Sequence, residues 1–398
     1  MTTRLDDLRA DARAELPAAI ELRRRIHANP ELGLVLPATQ RAVLDALGDL
    51  DAELATGGAT SAIVATLRGP RPGPTILLRA DMDALPMKEE TELPFASREA
   101  GRMHACGHDA HVAMLAGAAR VLARRRGELA GTVKLLFQPG EEGYGGARIL
   151  IGEGLLDAEP AVDAAFAIHV DSSLASGSVA LRPGAILAAA DLISIDVTGR
   201  GGHASMPHLA ADPIPVACEI VMALQSFVTR RINSFDPVVI TVSRIQAGTT
   251  SNVIPASAQL LGTIRSVSEA TRAAAHEGVR RVAAGVAAAH GLEAQVHIVP
   301  GYPVTVNDAG FAGFARGVAG DLLGAGGVIE MPAPVMGAED FSYVLARVPG
   351  ALVFLGARPA GDEVAPLHSN RMVIDEAAMA VGIALHAAVS TRWLGAAA

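Results

Sequence analysis

The sequence is poor in aromatic residues, in cysteine and in positive charge. Phe, Trp and Tyr make up 3% of its 398 residues, the cysteines number 2, and the formal net charge at pH 7 is −9. Two cysteines do not make a disulfide framework. The negative charge argues against partners such as nucleic acid or an anionic membrane, because phosphate groups would be repelled.

Long hydrophobic runs are also missing. No stretch reaches the roughly 18 uninterrupted apolar residues of a membrane span. The segment Met1–Arg25 is charged throughout and lacks the apolar core of a signal peptide. We therefore expect a cytoplasmic protein. Its length exceeds the size at which one hydrophobic core keeps growing, so two domains are expected.

Potential metal ligands are concentrated in one short stretch, Met103–His111, which reads MHACGHDAH. Cys106 and His108 flank a glycine, so thiol and imidazole can turn toward one point. The Ala-rich run after them predicts a helix, and a helix N-terminus favours the thiolate that binds metal. The stretch predicts a metal site at a loop-to-helix junction; a helix cap with a buried cysteine is the structural alternative.

Polar side chains follow three successive apolar runs that have the composition of buried strands. Such runs, alternating with helical segments, predict a wound α/β sheet with a site at the carboxyl ends of its strands. The side chains at these ends are Asp81 and Asp83 after Thr75–Arg79, Glu141 and Glu142 after Thr132–Phe137, and His169 after Val162–Ile168.

The middle of the chain has a different rhythm. Its order is strand, helix, strand, strand, helix, strand, which is the pattern of an α+β ferredoxin-like sandwich. The sequence therefore predicts a first domain in two parts, 1–183 and 301–398, with an inserted domain at 184–300. One helix and one edge strand of the insertion are available for a dimer contact. Cys218, in an apolar helical stretch, is predicted to be a small buried residue.

The candidate ligands mix imidazole, carboxylate and one thiolate, a set that suits zinc, manganese, nickel or cobalt. They outnumber the places around one tetrahedral ion, so either two metals lie close together or some groups support the others. Asp83 as a turn cap, Glu339 as a helix cap and His111 as a helix histidine are structural alternatives. The candidates are Asp81, Asp83, Cys106, His108, His111, Glu141, Glu142, His169, Glu339 and His368.

Seven motifs, in this order, resemble those of the dinuclear-metal aminoacylase/carboxypeptidase family, peptidase family M20. The branch they resemble holds N-acyl-amino-acid amidohydrolases, hippurate hydrolases and auxin-conjugate hydrolases. The motifs are RADMDALP at Arg79–Pro86, MHACGHDAH at Met103–His111, FQPGEEG at Phe137–Gly143, GRGGHASMP at Gly199–Pro207, NVIP at Asn252–Pro255, MGAEDF at Met336–Phe341 and PLHS at Pro366–Ser369.

The resemblance implies a zinc-peptidase-like catalytic domain, two divalent metal ions per subunit, and an inserted lid that also dimerises the chain. The implied assembly is a homodimer or a tetramer. Glu141 matches the general base, Asp83 the acid that supports it or a neighbouring ligand, and His203 a histidine that polarises the scissile carbonyl in the partner's site. Asn252 and Arg265 match substrate-holding groups of the lid. The implied metal ligands are Cys106, His108, Glu142, His169 and His368.

The activity implied is hydrolysis of N-acyl-L-amino acids to a carboxylic acid and a free amino acid. A metallo-dipeptidase or carboxypeptidase of the same family is one alternative, and a non-catalytic metal-dependent binding protein is another. A serine or cysteine hydrolase is disfavoured because no Gly-x-Ser-x-Gly turn follows a strand. Cys106 beside His108 and several carboxylates fits ligation better than nucleophilic attack.

Overall fold

The computed structural model of the chain describes residues 5–361 and 364–396. The chain divides into two compact units. The first runs to Ile186 and resumes at Val306–Ala333 and again from Tyr343; the second comprises Leu187–Thr305 and Pro334–Ser342. The domain limits of 184 and 300, and the role of the insertion as a lid and dimerisation domain, stay predictions.

The described elements are numbered in chain order. The helices are α1 (Leu5–His27), α2 (Pro37–Leu47), α3 (His108–Arg124), α4 (Gly146–Gly152), α5 (Pro213–Arg231), α6 (Glu269–Ala289), α7 (Ala309–Leu323), α8 (Ser342–Leu345) and α9 (Met379–Ala396). The strands are β1 (Glu53–Thr56), β2 (Ile63–Arg68), β3 (Arg71–Asp81), β4 (Ala130–Gln138), β5 (Ala164–Asp171), β6 (Val179–Leu181), β7 (Gly184–Leu187), β8 (Ala189–Thr198), β9 (Gly202–His203), β10 (Val238–Ala247), β11 (Val253–Ile254), β12 (Ser257–Ser266), β13 (Glu293–Pro300), β14 (Thr305–Asn307), β15 (Val328–Glu330) and β16 (Gly350–Gly356).

The first unit is built on an eight-stranded mixed sheet in the order β1-β2-β4-β3-β5-β16-β6-β15. Its centre, β4-β3-β5-β16, is parallel, and β1 and β2 join antiparallel at one edge. The central strands are buried along most of their length because both faces are covered, which explains their continuous apolar sequences. The predicted wound α/β sheet is confirmed.

Helices α1, α3, α7 and α9 belong to the hydrophobic core of this unit. Among the described residues, one helical segment, Glu376–Ala396, is long and apolar enough to span a membrane by length and composition alone. Within the fold, 67% of its apolar window is buried. The core helix of a folded domain passes the same length and composition test.

The second unit has the order β8-α5-β10-β12-α6-β13, with its sheet arranged antiparallel as β10-β12-β8-β13. Alternate residues of β8 and β12 are buried, and they form a core with the apolar faces of α5 and α6. The predicted ferredoxin-like arrangement is confirmed. The prediction that Cys218 is buried is wrong: it lies on the exposed face of α5.

One buried side chain closes the gap in the first unit where the chain leaves and returns. Asn307 donates hydrogen bonds from Nδ2 to the carbonyl oxygens of Arg182 (3.0 Å) and Leu352 (2.9 Å). Its Oδ1 accepts the N–H of Leu352 at 2.8 Å. The residue that follows β6 and the second residue of the returning segment are thereby held beside β16.

Candidate metal centre

The turn from Cys106 to His108 depends on the glycine between them. Gly107 has φ of +88°, in the left-handed region, and it is the residue that precedes α3. A Cβ atom at this position would lie 2.2 Å from Cγ2 of Val170 on β5. Only glycine fits both the backbone angle and the close approach of the strand, so the turn positions Cys106 and His108 on the same side.

The five residues predicted as ligands lie together. Cys106 Sγ is 3.4 Å from His169 Nε2 and 3.2 Å from His368 Nε2. Glu142 Oε1 is 3.4 Å from His368 Nε2 and 4.0 Å from His108 Nε2. Two overlapping groups, Cys106–His108–His169 and Cys106–Glu142–His368, each bring their ligand atoms within 4.8 Å of one another. Cys106 is common to both groups.

The backbone fixes which ring nitrogen two of these histidines present. His108 donates from Nδ1 to the carbonyl oxygen of Asp83 at 2.8 Å, and His169 donates from Nδ1 to that of Val170 at 2.7 Å. Each ring therefore carries its hydrogen on Nδ1, and its Nε2 lone pair faces the cluster. Hydrogen bonds of this kind orient metal-binding imidazoles and set their tautomer.

Asp83 acts on the backbone of the acidic pair. Its carboxylate accepts the N–H groups of Glu141 (2.8 Å) and Glu142 (3.0 Å). Burial raises the pKa of Asp83 to about 6, although the charge of His108 and the two backbone hydrogen bonds oppose the rise. The same two hydrogen bonds therefore make Asp83 both a turn cap and a support for Glu141.

Glu141 lies beside the cluster. Its carboxylate is within 4.8 Å of the ligand atoms of His108 and Glu142, and the residue is 6% exposed. Gly140 and Gly143 flank the pair with φ of +77° and +88°. A Cβ on Gly140 would meet Cδ2 of Leu34 at 2.4 Å. The loop after β4 is thus folded tightly enough to present both glutamates at one edge of the sheet.

The negative charges and the unpaired buried atoms of the cluster favour the binding of a cation. Burial lowers the pKa of His108, but the negative charges of Asp81, Glu142 and Asp83 outweigh it and raise the pKa above its usual value. His108 Nε2 and Glu142 Oε1 are buried atoms without a hydrogen-bond partner among the described residues. Burial holds the pKa of His169 well below its usual value, which keeps its ring neutral. A divalent ion would satisfy these groups, and the imidazole, carboxylate and thiolate donors fit one.

Two further candidates, His111 and Asp81, lie against the cluster, with Asp81 Oδ2 3.6 Å from His108 Nε2. His111 Nδ1 donates to Asp81 at 2.6 Å, and its Nε2 accepts the N–H of Val170 at 2.8 Å, so neither nitrogen is left for a metal. Asp81 also pairs with Arg79 at 2.6 Å. Glu339, in the segment grouped with the second unit, accepts the N–H of Phe341 at 2.9 Å, within the turn that precedes α8.

The structure places the predicted lid residues at two locations within the second unit. His203 and Asn252 lie on a short ribbon in which β9 pairs with β11, and the carbonyl oxygen of Asn252 accepts the N–H of Ala204 at 3.1 Å. Arg265 lies near the far end of β12, eight residues after the strand begins at Ser257. At about 3.3 Å per residue this separates Arg265 from the ribbon end of the strand by roughly 26 Å.

Residues 77–392 match the model of peptidase family M20/M25/M40. The chain belongs to this family. It is a metal-dependent hydrolase of amide bonds.

Relatives of this M20 hydrolase cover nearly its whole length. It is 39% identical to thermostable carboxypeptidase 2 of Saccharolobus solfataricus over 94% of this chain and 95% of that protein. It is 38% identical to N-acetylcysteine deacetylase of Bacillus subtilis over 91% of this chain and 93% of that protein. A solved dinuclear metal-binding peptidase of the M20 family from Bacillus subtilis is 33% identical, with a TM-score of 0.84 over 96% of this chain and 99% of that one.

A buried ionic network that was not predicted from the sequence surrounds Asp109 in this M20 hydrolase. Asp109, which follows His108, accepts a hydrogen bond from His27 Nδ1 at 2.8 Å and lies 3.0 Å from Arg23 Nε. His27 Nε2 faces Glu89 at 3.1 Å. The sequence pattern that could have indicated this network is the position of Arg23 and His27 beside Leu22 and Ile26 on the apolar face of α1. Charged residues are rarely buried there unless they are paired.

Proposed function

We propose that this chain hydrolyses the amide bond of N-acyl-L-amino acids and releases a carboxylic acid and a free amino acid. The observation that carries the proposal is the buried carboxylate of Glu141 beside two ligand groups that share Cys106. A relative named N-acetylcysteine deacetylase, 38% identical, supports this substrate class. The dinuclear relative supports two divalent ions per subunit.

Five side chains would hold the ions: Cys106, His108, Glu142, His169 and His368. We propose zinc, manganese, nickel or cobalt, because the donors mix one thiolate with imidazole and carboxylate. When bound, such ions polarise the scissile carbonyl and acidify water. The thiolate of Cys106 is held at the N-terminus of α3, where the helix dipole favours negative charge.

Glu141 would move the protons of the reaction. Its carboxylate takes a proton from the attacking water as the oxygen bonds to the amide carbon, and then delivers it to the leaving nitrogen. The Asp83 carboxylate accepts the backbone N–H groups of Glu141 and Glu142 and so fixes the backbone of the pair. Glu142 can then ligate metal while Glu141 transfers protons. An amide hydrolase needs one glutamate that ligates metal and a second that transfers protons. A binding protein has no need for the second.

We further propose a homodimer in which His203 of one subunit donates to the carbonyl oxygen in its partner's site, with Asn252 beside it. Arg265 would hold the substrate carboxylate. The separation of roughly 26 Å along β12 supports this arrangement, because one copy of the second unit cannot bring Arg265 and the ribbon to a single small substrate. The exposed side chains of Ile214 and Met222 on α5 also support a partner subunit.

Cleavage of a C-terminal residue from peptides is the second candidate, because a relative 39% identical is named a carboxypeptidase. Stripping the metal with a chelator, restoring single divalent ions, and assaying N-acetyl-, N-benzoyl- and peptidyl-amino acids separates the two. We expect activity only with metal and the highest kcat/KM on N-acyl amino acids. A preference for peptides would replace the first candidate with the second.

Glu141→Gln tests the proton-transfer role. We expect turnover to fall by about 10²–10⁴, with metal content unchanged, because the amide cannot accept the proton. Metal analysis and steady-state kinetics on the same preparation measure both. Glu153→Gln, an exposed glutamate at the end of α4, is the matched control and should behave as wild type. Normal hydrolysis by Glu141→Gln would remove Glu141 from the mechanism.

A further inference from the structure

His203, the last residue of β9, is the first residue of a tight turn that ends at Met206. Its carbonyl oxygen accepts the N–H of Met206 at 2.8 Å, which closes the turn over Ala204 and Ser205. The pairing of His203 with Val253 fixes the other side. Ser205 is thus held directly against the imidazole of the exposed His203.

The backbone N–H and the hydroxyl of Ser205 both lie within hydrogen-bond distance of one ring nitrogen of His203. The backbone N–H of Ser205 is 3.1 Å from His203 Nδ1, and the Ser205 hydroxyl Oγ is 2.7 Å from the same atom. A backbone N–H can only donate, so Nδ1 must present its lone pair. A hydrogen on Nδ1 would face the N–H of Ser205 at that distance, and the tautomer with its hydrogen on Nδ1 is therefore disfavoured.

We propose that Ser205 is a positioning residue that holds His203 in the tautomer with its hydrogen on Nε2. The ring then presents a ready N–H donor and cannot serve as a base through Nε2. Such a donor matches a carbonyl oxygen that gains negative charge as the amide carbon is attacked. The inference rests on the proposed role of His203 and adds the residue that prepares it.

The neighbouring residue of the ribbon is oriented in the same sense. The hydroxyl of Thr250 donates to Asn252 Oδ1 at 3.1 Å. The amide oxygen of Asn252 is thereby engaged, and its NH₂ group is left to donate. Both side chains are prepared as donors by hydroxyl groups two residues away, and both are suited to bind an acceptor such as an amide carbonyl.

The direct test is the ring of His203 in the intact protein. Protein labelled with ¹⁵N-histidine is observed by ¹⁵N–¹H correlation spectra at neutral pH, and the signal missing in His203→Ala identifies the residue. We expect an unprotonated Nδ1 and a protonated Nε2. A protonated Nδ1 would overturn the proposal, whatever the activity of the enzyme.

The second test separates the serine from the histidine. Ser205→Ala keeps the backbone N–H and loses the hydroxyl, so kcat should fall on the order of three- to tenfold with KM and metal content unchanged. Ser205→Thr should restore kcat, and Ser243→Ala, an exposed serine of β10, should leave it unaltered. An unchanged kcat in Ser205→Ala would overturn the role of Ser205.

The two hypotheses fail differently. Wild-type turnover by His203→Ala would mean that the proposed function of His203 is wrong, even with the expected tautomer. Loss of turnover in His203→Ala together with a protonated Nδ1 in the wild type would leave that function standing and defeat the inference about Ser205 alone.

Discussion

The imidazoles of the metal centre and that of the ribbon are prepared by opposite backbone groups. His108 and His169 each give their Nδ1 hydrogen to a carbonyl oxygen, so Nε2 presents a lone pair. His203 receives an N–H at Nδ1, so Nε2 presents a hydrogen. The side chain is the same in all three cases, and the partner at Nδ1 decides whether it binds a cation or donates to an oxygen.

Burial separates the two regions as well. His108 and His169 are 0% and 9% exposed, whereas His203 is exposed. A metal-binding histidine must be held close to other ligands that repel it, whereas a hydrogen-bond donor to substrate must be accessible. Substitutions in the first unit should therefore change metal affinity and stability, and substitutions on the ribbon should change only turnover.

His203→Ala is the strongest test of this contrast. Loss of one preorganised donor to the oxyanion should lower kcat by about 10²–10³. Metal content and the melting temperature should stay at wild-type values because the side chain is exposed. His208→Ala, an exposed histidine of the same segment, is the control. A loss of bound metal in His203→Ala would break the separation between the regions.

Gly107→Ala should act on the buried region in the opposite manner. The left-handed backbone and the contact of a Cβ with Val170 at 2.2 Å should together cost about 2–4 kcal/mol in the free energy of unfolding. Chemical denaturation of the metal-loaded protein measures it, with Gly127→Ala as a control because a Cβ there meets nothing within 4 Å. Equal stabilities of the two variants would refute the packing argument.

Cys106→Ser tests ligation against nucleophilic catalysis. Replacing the thiolate by a hydroxyl should weaken metal binding on the order of 10- to 100-fold, and added metal should restore part of the turnover. Competition with a chromogenic chelator measures the affinity. Cys218→Ser, on the exposed face of α5, should match wild type. Abolished turnover at saturating metal with unchanged affinity would favour a nucleophile instead.

His27 shows a third state, because both of its nitrogens donate to carboxylates. Burial lowers the pKa of His27, but the charge and hydrogen bond of Asp109 outweigh it and raise the pKa to about 9. A raised pKa stabilises the fold below the unfolded value, near 6.5, and this contribution is lost as pH rises through about 9.

His27→Gln should therefore be less stable than wild type at pH 7, and the difference should shrink by on the order of 2 kcal/mol between pH 7 and 9. Denaturation at both pH values measures this difference. His290→Gln, at an exposed histidine paired with Glu219, is the matched control. A difference that does not vary with pH would mean that His27 is neutral in the folded protein.

The fold was predictable where the pattern is local. Apolar runs that end in Asp81, Glu141 and His169 identified β3, β4 and β5, and the order of strands and helices identified the second unit. The strands β6 and β15 were missed because three residues carry no pattern and exist only through their neighbours. The strand β3 begins at Arg71, four residues before the apolar run Thr75–Arg79 that predicted it.

The site was predictable from motifs and less so from chemistry alone. The residue types indicated a cluster, but only the hydrogen bonds of His111 explain why it is not available to a metal. The exposure of Cys218 was hidden because α5 is apolar on its outer face as well. Ser205 and Thr250 carried no signal, since any turn is rich in hydroxyl residues.

The hydrogen bonds of Asn307 make residues 185–305, the larger part of the second unit, a removable segment in topological terms. A single amide bridges Arg182, just before the chain leaves the first unit, and Leu352 in its central sheet. The two cut points therefore lie within the span of one side chain, and a short linker from residue 184 to 306 could close the first unit without stretching it. The sheet, the turn at Gly107 and the five candidate ligands all lie outside the excised segment.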